Sequence, residues 1–444
     1  MIDRLASLLR NRHTLALVGR GAQAAFGMVA FVLLARLLSS DGLGAWVLYL
    51  AAVSFANVCR EGVVKTALVR YAAGRSGDER AVFVGAGWIL AIVVTALESG
   101  AVALWAVSPF VPDGFDLFVS WYPLLAWCSL PFQFGTWIAE ANDRFERMAL
   151  GNVVNSGGFT LAVGGAFGMA AGWAPPTVAA VHVAFAAATS LLFVLLRWTW
   201  ITTAARFTVD ALAQLFAFGK YSVGTLIGSH LLSSSDVYIL GFLLGPSAVA
   251  LYSVGQKAVR LVEVPLQAFS STAFPTLSDL HQNDDIVALQ QYTHRWTAAM
   301  TALFIPVLVV LFVWAEPVVV LLGGADYAGA APILRWFTLY LLFSPLSRAL
   351  GMLLDSINRP QFNLYKVGVM VTVNVAGDVA VLLLWASIPA VAAVTTLTLL
   401  SGVVMGLYFV RPFAPIRVSA LPAAGRDAVA EQWQRWTHRA SQQS

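Results

Sequence analysis

Charge is scarce in this chain of 444 residues: Asp, Glu, Lys and Arg together make up 11% of it. A soluble domain carries roughly 25%, so too few polar side chains are present to cover a water-facing surface. Cysteine is scarcer still. Cys59 and Cys128 are the two, and both fall in apolar stretches, which excludes a disulfide framework and a cysteine metal centre. The six histidines show no HxxxH spacing; His230, in a polar stretch, is expected to be a hydrogen-bonded interior residue. A phosphate-binding GxxxxGK[ST] loop, an HExxH motif and a nucleophile elbow are all missing, so no metal site is expected and nothing in the chain draws power from nucleotide hydrolysis. Long polar loops are missing as well. SPFVPDGFD and GGADYAGAA are the largest expected outside loops, too small for the catalytic loop that an integral-membrane polymerase or glycosyltransferase carries, and no enzyme is expected.

Apolar residues are abundant. They make up 59% of the chain, and mean hydropathy is +0.75. A helix of about 20 apolar residues crosses a hydrocarbon core of about 30 Å. Such stretches recur at 14–36, 43–67, 81–107, 117–139, 148–171, 177–198, 217–243, 248–274, 297–322, 332–354, 363–386 and 390–410. The fold class expected is therefore an all-α polytopic membrane protein with twelve transmembrane helices. The first run lacks a cleavage pattern and reads as a retained helix.

Lys and Arg stay on the cytoplasmic side of short loops. With both termini cytoplasmic, the bases from Arg4, Arg10 and Arg12 through Arg70, Arg75 and Arg80 to Arg411 and Arg417 fall inside, and among interfacial bases only Arg36 falls outside. The net charge of +4 is mostly this bias, and no nucleic-acid partner is expected.

The stretch LLARLLSSDGLGAWVLY (33–49) aligns with ILGFLLGPSAVALYSVG (239–255), placing Leu43 on Val249 and Trp46 on Tyr252. Each is the end of one span, a tight turn and the start of the next. The alignment predicts two pseudo-symmetric six-helix bundles around a central cavity. Their bounds are 1–200 and 217–412, with a cytoplasmic linker at 201–216 and a cytoplasmic tail at 413–444, in which Trp433 and Trp436 form a short interfacial piece or belong to a disordered end.

A charge near the bilayer centre costs at least about 2.5–3.5 kcal/mol, so it faces protein or water. Within the stretch 43–67, residues Ser54, Asn57, Glu61 and Lys65 step by three or four and form one polar stripe, with Arg60 at its edge and Glu61 four before Lys65 to pair with it. A second stripe runs through Ser253, Gln256, Arg260, Glu263, Gln267 and Ser270, with Lys257 beside it. Asp236 ends a third, and Asn363, Lys366, Asn374 and Asp378 make a fourth. Helices lining a hydrated cleft carry such stripes. Basic groups in that cleft suit an anionic substrate, and Arg matches phosphate oxygens with a forked donor. Glu98 stands alone in its span, as a neutral hydrogen-bonded group or a proton carrier.

The segments GLGAWVLYLAAVSFANVCREGVVKTALVRYAA, AQLFAFGKYSVGTLIGSHLLSSSDVYILGFLLGPSAVALYSVGQKAVRLVEVPLQAFSSTAFPTLSDL and VVLLGGADYAGAAPILRWF resemble the polysaccharide-transporter branch of the multidrug/oligosaccharidyl-lipid/polysaccharide exporter superfamily, above all its Wzx-type flippases. The resemblance implies alternating access and movement of an undecaprenyl-pyrophosphate-linked oligosaccharide from the cytoplasmic to the outer leaflet of a bacterial inner membrane, for O-antigen, capsule or exopolysaccharide synthesis. It implies a cationic substrate cavity formed here by Arg20, Arg60, Lys65, Lys257 and Arg260. It leaves Glu61, Asp236, Glu263 and Asp378 as candidates for coupling to a proton or sodium gradient, with no other cofactor, and implies the bilayer, a polysaccharide polymerase and a chain-length regulator as partners. A multidrug antiporter of the same superfamily is the rival expectation, though it prefers an acidic cleft.

Overall fold

The computed structural model describes residues 12–170 and 172–420. Arg4, Arg10 and the tail residues Arg426, Trp433, Trp436 and Arg439 lie outside the described residues. Helices α1 (Arg12–Leu37), α2 (Ser40–Ala72), α3 (Gly77–Ala106) and α4 (Asp116–Ala141) are followed by α5, which joins Phe145–Asn152 to Gly158–Gly168. Then come α6 (Pro175–Leu195), α7 (Val209–Leu244), α8 (Pro246–Lys257), α9 (Arg260–Gln282), α10 (Ile286–Val313), α11 (Ala315–Gly323), α12 (Ala331–Ser356), α13 (Pro360–Trp385) and α14 (Ile388–Val410). Among the described residues there is no strand. Each of the twelve expected stretches falls on a helix or a pair of helices, and among the described residues eight helices are long and apolar enough to cross a membrane. With lipid offering no partners, helix is how a spanning segment satisfies its own backbone.

The starts and stops are local chemistry. Ser39 caps α2 by accepting from the Gly42 N–H at 3.2 Å, Thr208 caps α7 through the Ala211 N–H, and Asp285 caps α10 through the Ala288 N–H, each offering oxygen to an otherwise unpaired donor. Between α7 and α8, Gly245 takes a φ of +83°, which a side chain resists, and Pro246 then opens α8. The turns aligned by sequence coincide in register: α2 begins at Ser40 and α8 at Pro246, and the paired residues Leu43, Trp46, Val249 and Tyr252 are all buried.

Two compact units divide the chain at Ala250 and Leu251. The expected linker at 201–216 holds a 3-10 turn, Ile201–Arg206, and the first residues of α7. That turn is docked on α3: the Trp88 indole donates to the Thr199 carbonyl at 2.9 Å, and a Cβ placed on Gly85 would sit 2.2 Å from the Thr203 oxygen. Helix α7 accordingly packs within the first unit. The core there gathers Val64, Leu68, Trp88, Phe134, Trp137 and Leu215, with Trp88 stacked on Phe134 at 4.1 Å. The second unit has its own core, centred on Leu346, Leu350, Leu353 and Leu354 of α12, with Leu289, Val403 and Val410.

In the first unit α2 and α7 meet through glycines. A Cβ on Gly219 would stand 2.1 Å from the Val63 carbonyl oxygen, and one on Gly62 would stand 2.6 Å from the Val223 Cα. Small residues permit this approach where lipid supplies no hydrophobic drive between helices. Gly219→Val is expected to cost about 1–3 kcal/mol through overpacking, measured as a lower Tm in detergent. Gly228→Ala, about two and a half turns along the same helix with open space around it, is the control and loses nothing.

Candidate functional site

The stretch that sets NVCREGVVK apart is a distortion of α2. Residues Glu61–Lys65 form a π turn, in which the Thr66 N–H reaches back to the Glu61 carbonyl. Single π turns inside α-helices occur mostly at functional positions. Here the turn follows one charged cluster, at Arg60, and carries a second, at Glu61 and Lys65, and the two face different neighbours.

The first cluster is buried. Arg60 has no exposed surface and spends its guanidinium on three side chains. Nε and Nη2 donate to Glu98 Oε2 at 3.2 and 3.0 Å, Nη1 donates to Gln133 Oε1 at 3.1 Å, and Nη2 also reaches the Tyr122 hydroxyl at 3.0 Å. Tyr122 in turn donates to Glu98 Oε2 at 2.8 Å. Gln133 Nε2 donates to Asn57 Oδ1 at 3.1 Å, closing a network over α2, α3 and α4. Arg60 is thus a structural ion pair with Glu98, not the water-facing cation expected of it. Glu98, in turn, is not isolated. A fork of donors held in low dielectric needs a carboxylate opposite it, and α3 supplies one 38 residues along the chain.

The second cluster is open. Lys65, 25% exposed, pairs with Glu61 at 3.7 Å, as its spacing predicts, and with Glu140 of α4 at 3.2 Å. Glu140 had no sequence signal; it lies 75 residues away. Lys65, Glu61 and Glu140 therefore form a three-member network. His230 is hydrogen-bonded as expected, to the Tyr238 hydroxyl at 3.3 Å, and Tyr238 donates to the Ala51 carbonyl at 2.7 Å. Asp236 is buried on α7. Arg20 lies on α1, and its side chain is outside the described residues.

In the second unit the expected cations flank an interruption. Helix α8 stops at Lys257 and α9 starts at Arg260, with Ala258 and Val259 between them in a turn where the Val259 N–H donates to the Gln256 carbonyl at 3.0 Å. Lys257 is half-buried. Arg260 is exposed, at 68% of its side chain, and lies 3.8 Å from Glu263. Glu263 also accepts from the Tyr340 hydroxyl of α12 at 3.2 Å, a partner without sequence signal. Along α13, Lys366, Asn374 and Asp378 all face inward and are buried. The polar stripe read from sequence is real and is the packed face of that helix. Among the described residues no group of His, Cys, Asp or Glu is arranged to hold a metal ion.

The charged residues therefore divide by exposure, with Arg60 locked and Arg260 open, in an all-helical membrane fold. Residues 33–332 match the family model described as polysaccharide biosynthesis protein. This chain belongs to that family. A curated relative, the probable low-salt glycan biosynthesis flippase Agl15 of Haloferax volcanii, is 23% identical over 204 residues, and that match spans 46% of this chain and 43% of the relative. Two solved structures share the fold. The lipid II flippase MurJ in an inward closed conformation superposes with a TM-score of 0.71 at 14% identity, covering 96% of this chain and 92% of its own. An inward-facing multidrug resistance MATE family transporter of the MOP superfamily gives 0.68 at 13% identity, covering 91% and 98%. The family member described here is a multi-pass helical membrane protein of the MOP fold.

Proposed function

We propose that this chain is a flippase for undecaprenyl-pyrophosphate-linked oligosaccharide, moving the repeat unit from the cytoplasmic to the outer leaflet of a bacterial inner membrane for O-antigen, capsule or exopolysaccharide synthesis. The observation that carries the reading is Arg260. It lies 14 residues into the α8–α9 stretch, about 21 Å along at 1.5 Å per residue, at a break between helices, and its side chain is exposed. An exposed guanidinium at that depth of a spanning segment requires water or an anion, and pyrophosphate matches its fork. Lys257, at the other side of the break, adds a second cation. Family membership, a relative named for glycan flipping and a structural neighbour titled a lipid II flippase support a transporter of lipid-linked glycan over an enzyme.

The mechanism proposed is alternating access by two six-helix bundles, with twelve crossings and both termini cytoplasmic. The pyrophosphate binds at Arg260 and Lys257 of the second unit. Release needs that attraction to weaken. Glu263, already shared between Arg260 and Tyr340, is placed to compete for Arg260, and proton or sodium binding at Glu263, Asp236 or Asp378 sets which partner wins. A polysaccharide polymerase and a chain-length regulator are the protein partners proposed.

The test is reconstitution in liposomes with a fluorescent undecaprenyl-pyrophosphate oligosaccharide. The expected result is loss of the inner-leaflet signal in vesicles that hold the protein. Absence of glycolipid movement, together with proton flux driven by cationic drugs, overturns the reading in favour of an antiporter.

A further inference from the structure

A cavity of about 560 Å³ lies within the first unit, in the range of roughly 300–1,000 Å³ typical of small-molecule sites. Helices α2, α3, α4 and α7 wall it, and Phe55, Trp105, Phe118, Tyr122, Tyr238 and Phe242 supply aromatic rings. Glu98 is the one charged residue of the lining. Lengthwise the cavity runs from Trp105, near the α3–α4 turn, to Glu98, about 10 Å deeper at 1.5 Å per residue.

The mouth opens on hydrocarbon. Ala101 and Phe242 line the cavity and are exposed. Ala101 lies on the same face of α3 as Val93, Leu97 and Leu104, all exposed and all apolar. That stripe belongs to a helix long and apolar enough to span a membrane, and an apolar exposed stripe on such a helix meets lipid. An apolar hollow of this size facing lipid is filled by hydrocarbon, because an empty one forfeits the dispersion contacts of its whole lining.

Charge decides which end of a lipid enters. Glu98 Oε2 is occupied by Arg60 and Tyr122, whereas Oε1 is buried without a hydrogen-bond partner. Arg60 stands behind the carboxylate and contributes nothing to the lining. A phosphate entering here meets a carboxylate oxygen in low dielectric and no cation, and is repelled. A hydrocarbon tail meets rings along the walls and stops at the polar floor. Among tails, an isoprenoid chain carries a double bond in every repeat, so it has fewer rotors to freeze against rigid walls than a saturated chain of equal length, and ordering it costs less entropy.

We propose that this cavity binds the isoprenoid tail of a polyprenyl-phosphate lipid, tail first. The assignment rests on the reading of the chain as a flippase for lipid-linked glycan.

Cys59 lines the cavity and Cys128 does not, so Cys59 is a built-in reporter. The full-length Cys128→Ala protein is reconstituted in phosphatidylcholine vesicles, and the rate of Cys59 labelling by a bilayer-soluble maleimide is followed. Long-chain polyprenyl monophosphate at ten times its Kd is expected to slow labelling about elevenfold, the reciprocal of the vacant fraction. Phosphatidic acid with saturated chains at the same mole fraction leaves the rate unchanged, which separates tail from phosphate. Adding Ala101→Trp at the exposed mouth abolishes the protection by polyprenyl phosphate. No protection by polyprenyl phosphate, or equal protection by phosphatidic acid, overturns the site. Protection needs no translocation, so the two readings fail separately: glycolipid movement without protection refutes the tail site, and protection without movement refutes the flippase.

Discussion

Arg60→Met is expected to destabilise the protein by about 3–5 kcal/mol, because it leaves Glu98 as a buried carboxylate without its cation. Tyr122 still donates to Glu98 Oε2, but one neutral hydroxyl does not replace a guanidinium held by two nitrogens. At roughly 2–4 °C per kcal/mol for domains of this size, Tm in detergent falls by about 10 °C. The double variant Arg60→Met with Glu98→Leu removes both charges and is expected to recover most of the loss, since a buried ion pair replaced by apolar groups of similar volume is often neutral or better. A single variant as stable as wild type sinks the account of Arg60 as a structural ion pair. So does a double variant no better than the single one, measured by the same melting curves.

Arg260→Gln is expected to do the reverse. With 68% of the side chain exposed, its removal changes Tm little, as surface substitutions do, within about 0.5 kcal/mol. Translocation in the liposome assay suffers instead. Losing the hydrogen bonds from a guanidinium to a charged pyrophosphate costs about 1.5–3 kcal/mol, equivalent to a rate lower by roughly 10-fold to 150-fold. Arg260→Lys keeps the charge and loses the fork, so it retains an intermediate rate. Translocation by Arg260→Gln at the wild-type rate removes the central residue of the proposed headgroup site.

These two arginines look alike in the sequence. Both sit on or beside a polar stripe in a span, both lie within a few residues of an acid, and insertion cost argues for function in each. What separates them is tertiary. Glu98 and Gln133 approach Arg60 from α3 and α4, whereas Arg260 pairs with Glu263, on its own helix. The spacing of Glu61 and Lys65 was readable because neighbours at i and i+4 share a helix face whatever the fold. The Lys65 partnership with Glu140 and the Glu263 partnership with Tyr340 were not readable, because separations of 75 and 77 residues carry no periodicity. The segment 201–216 reads as a linker because it joins the two expected bundles, yet Thr199 and Thr203 fasten its approach to α3 through Trp88 and Gly85. No local pattern announces that docking.

Helix, approximate span, capped starts and the polar stripes were determined by the sequence alone, since each is a matter of hydropathy over about 20 residues or of contacts within one helical turn. The register of the two aligned turns, with α2 opening at Ser40 and α8 at Pro246, was in the sequence too. The tertiary structure decided which stripe residues are buried, as at Arg60 and along Lys366, Asn374 and Asp378 on α13, and which stay open, as at Arg260. It also decided where an aromatic cavity opens between α2, α3, α4 and α7. The physical reason is that a stripe fixes the direction of a side chain about its own helix axis, while burial and charge neutralisation depend on what another helix, rotated and placed by packing, brings to that side.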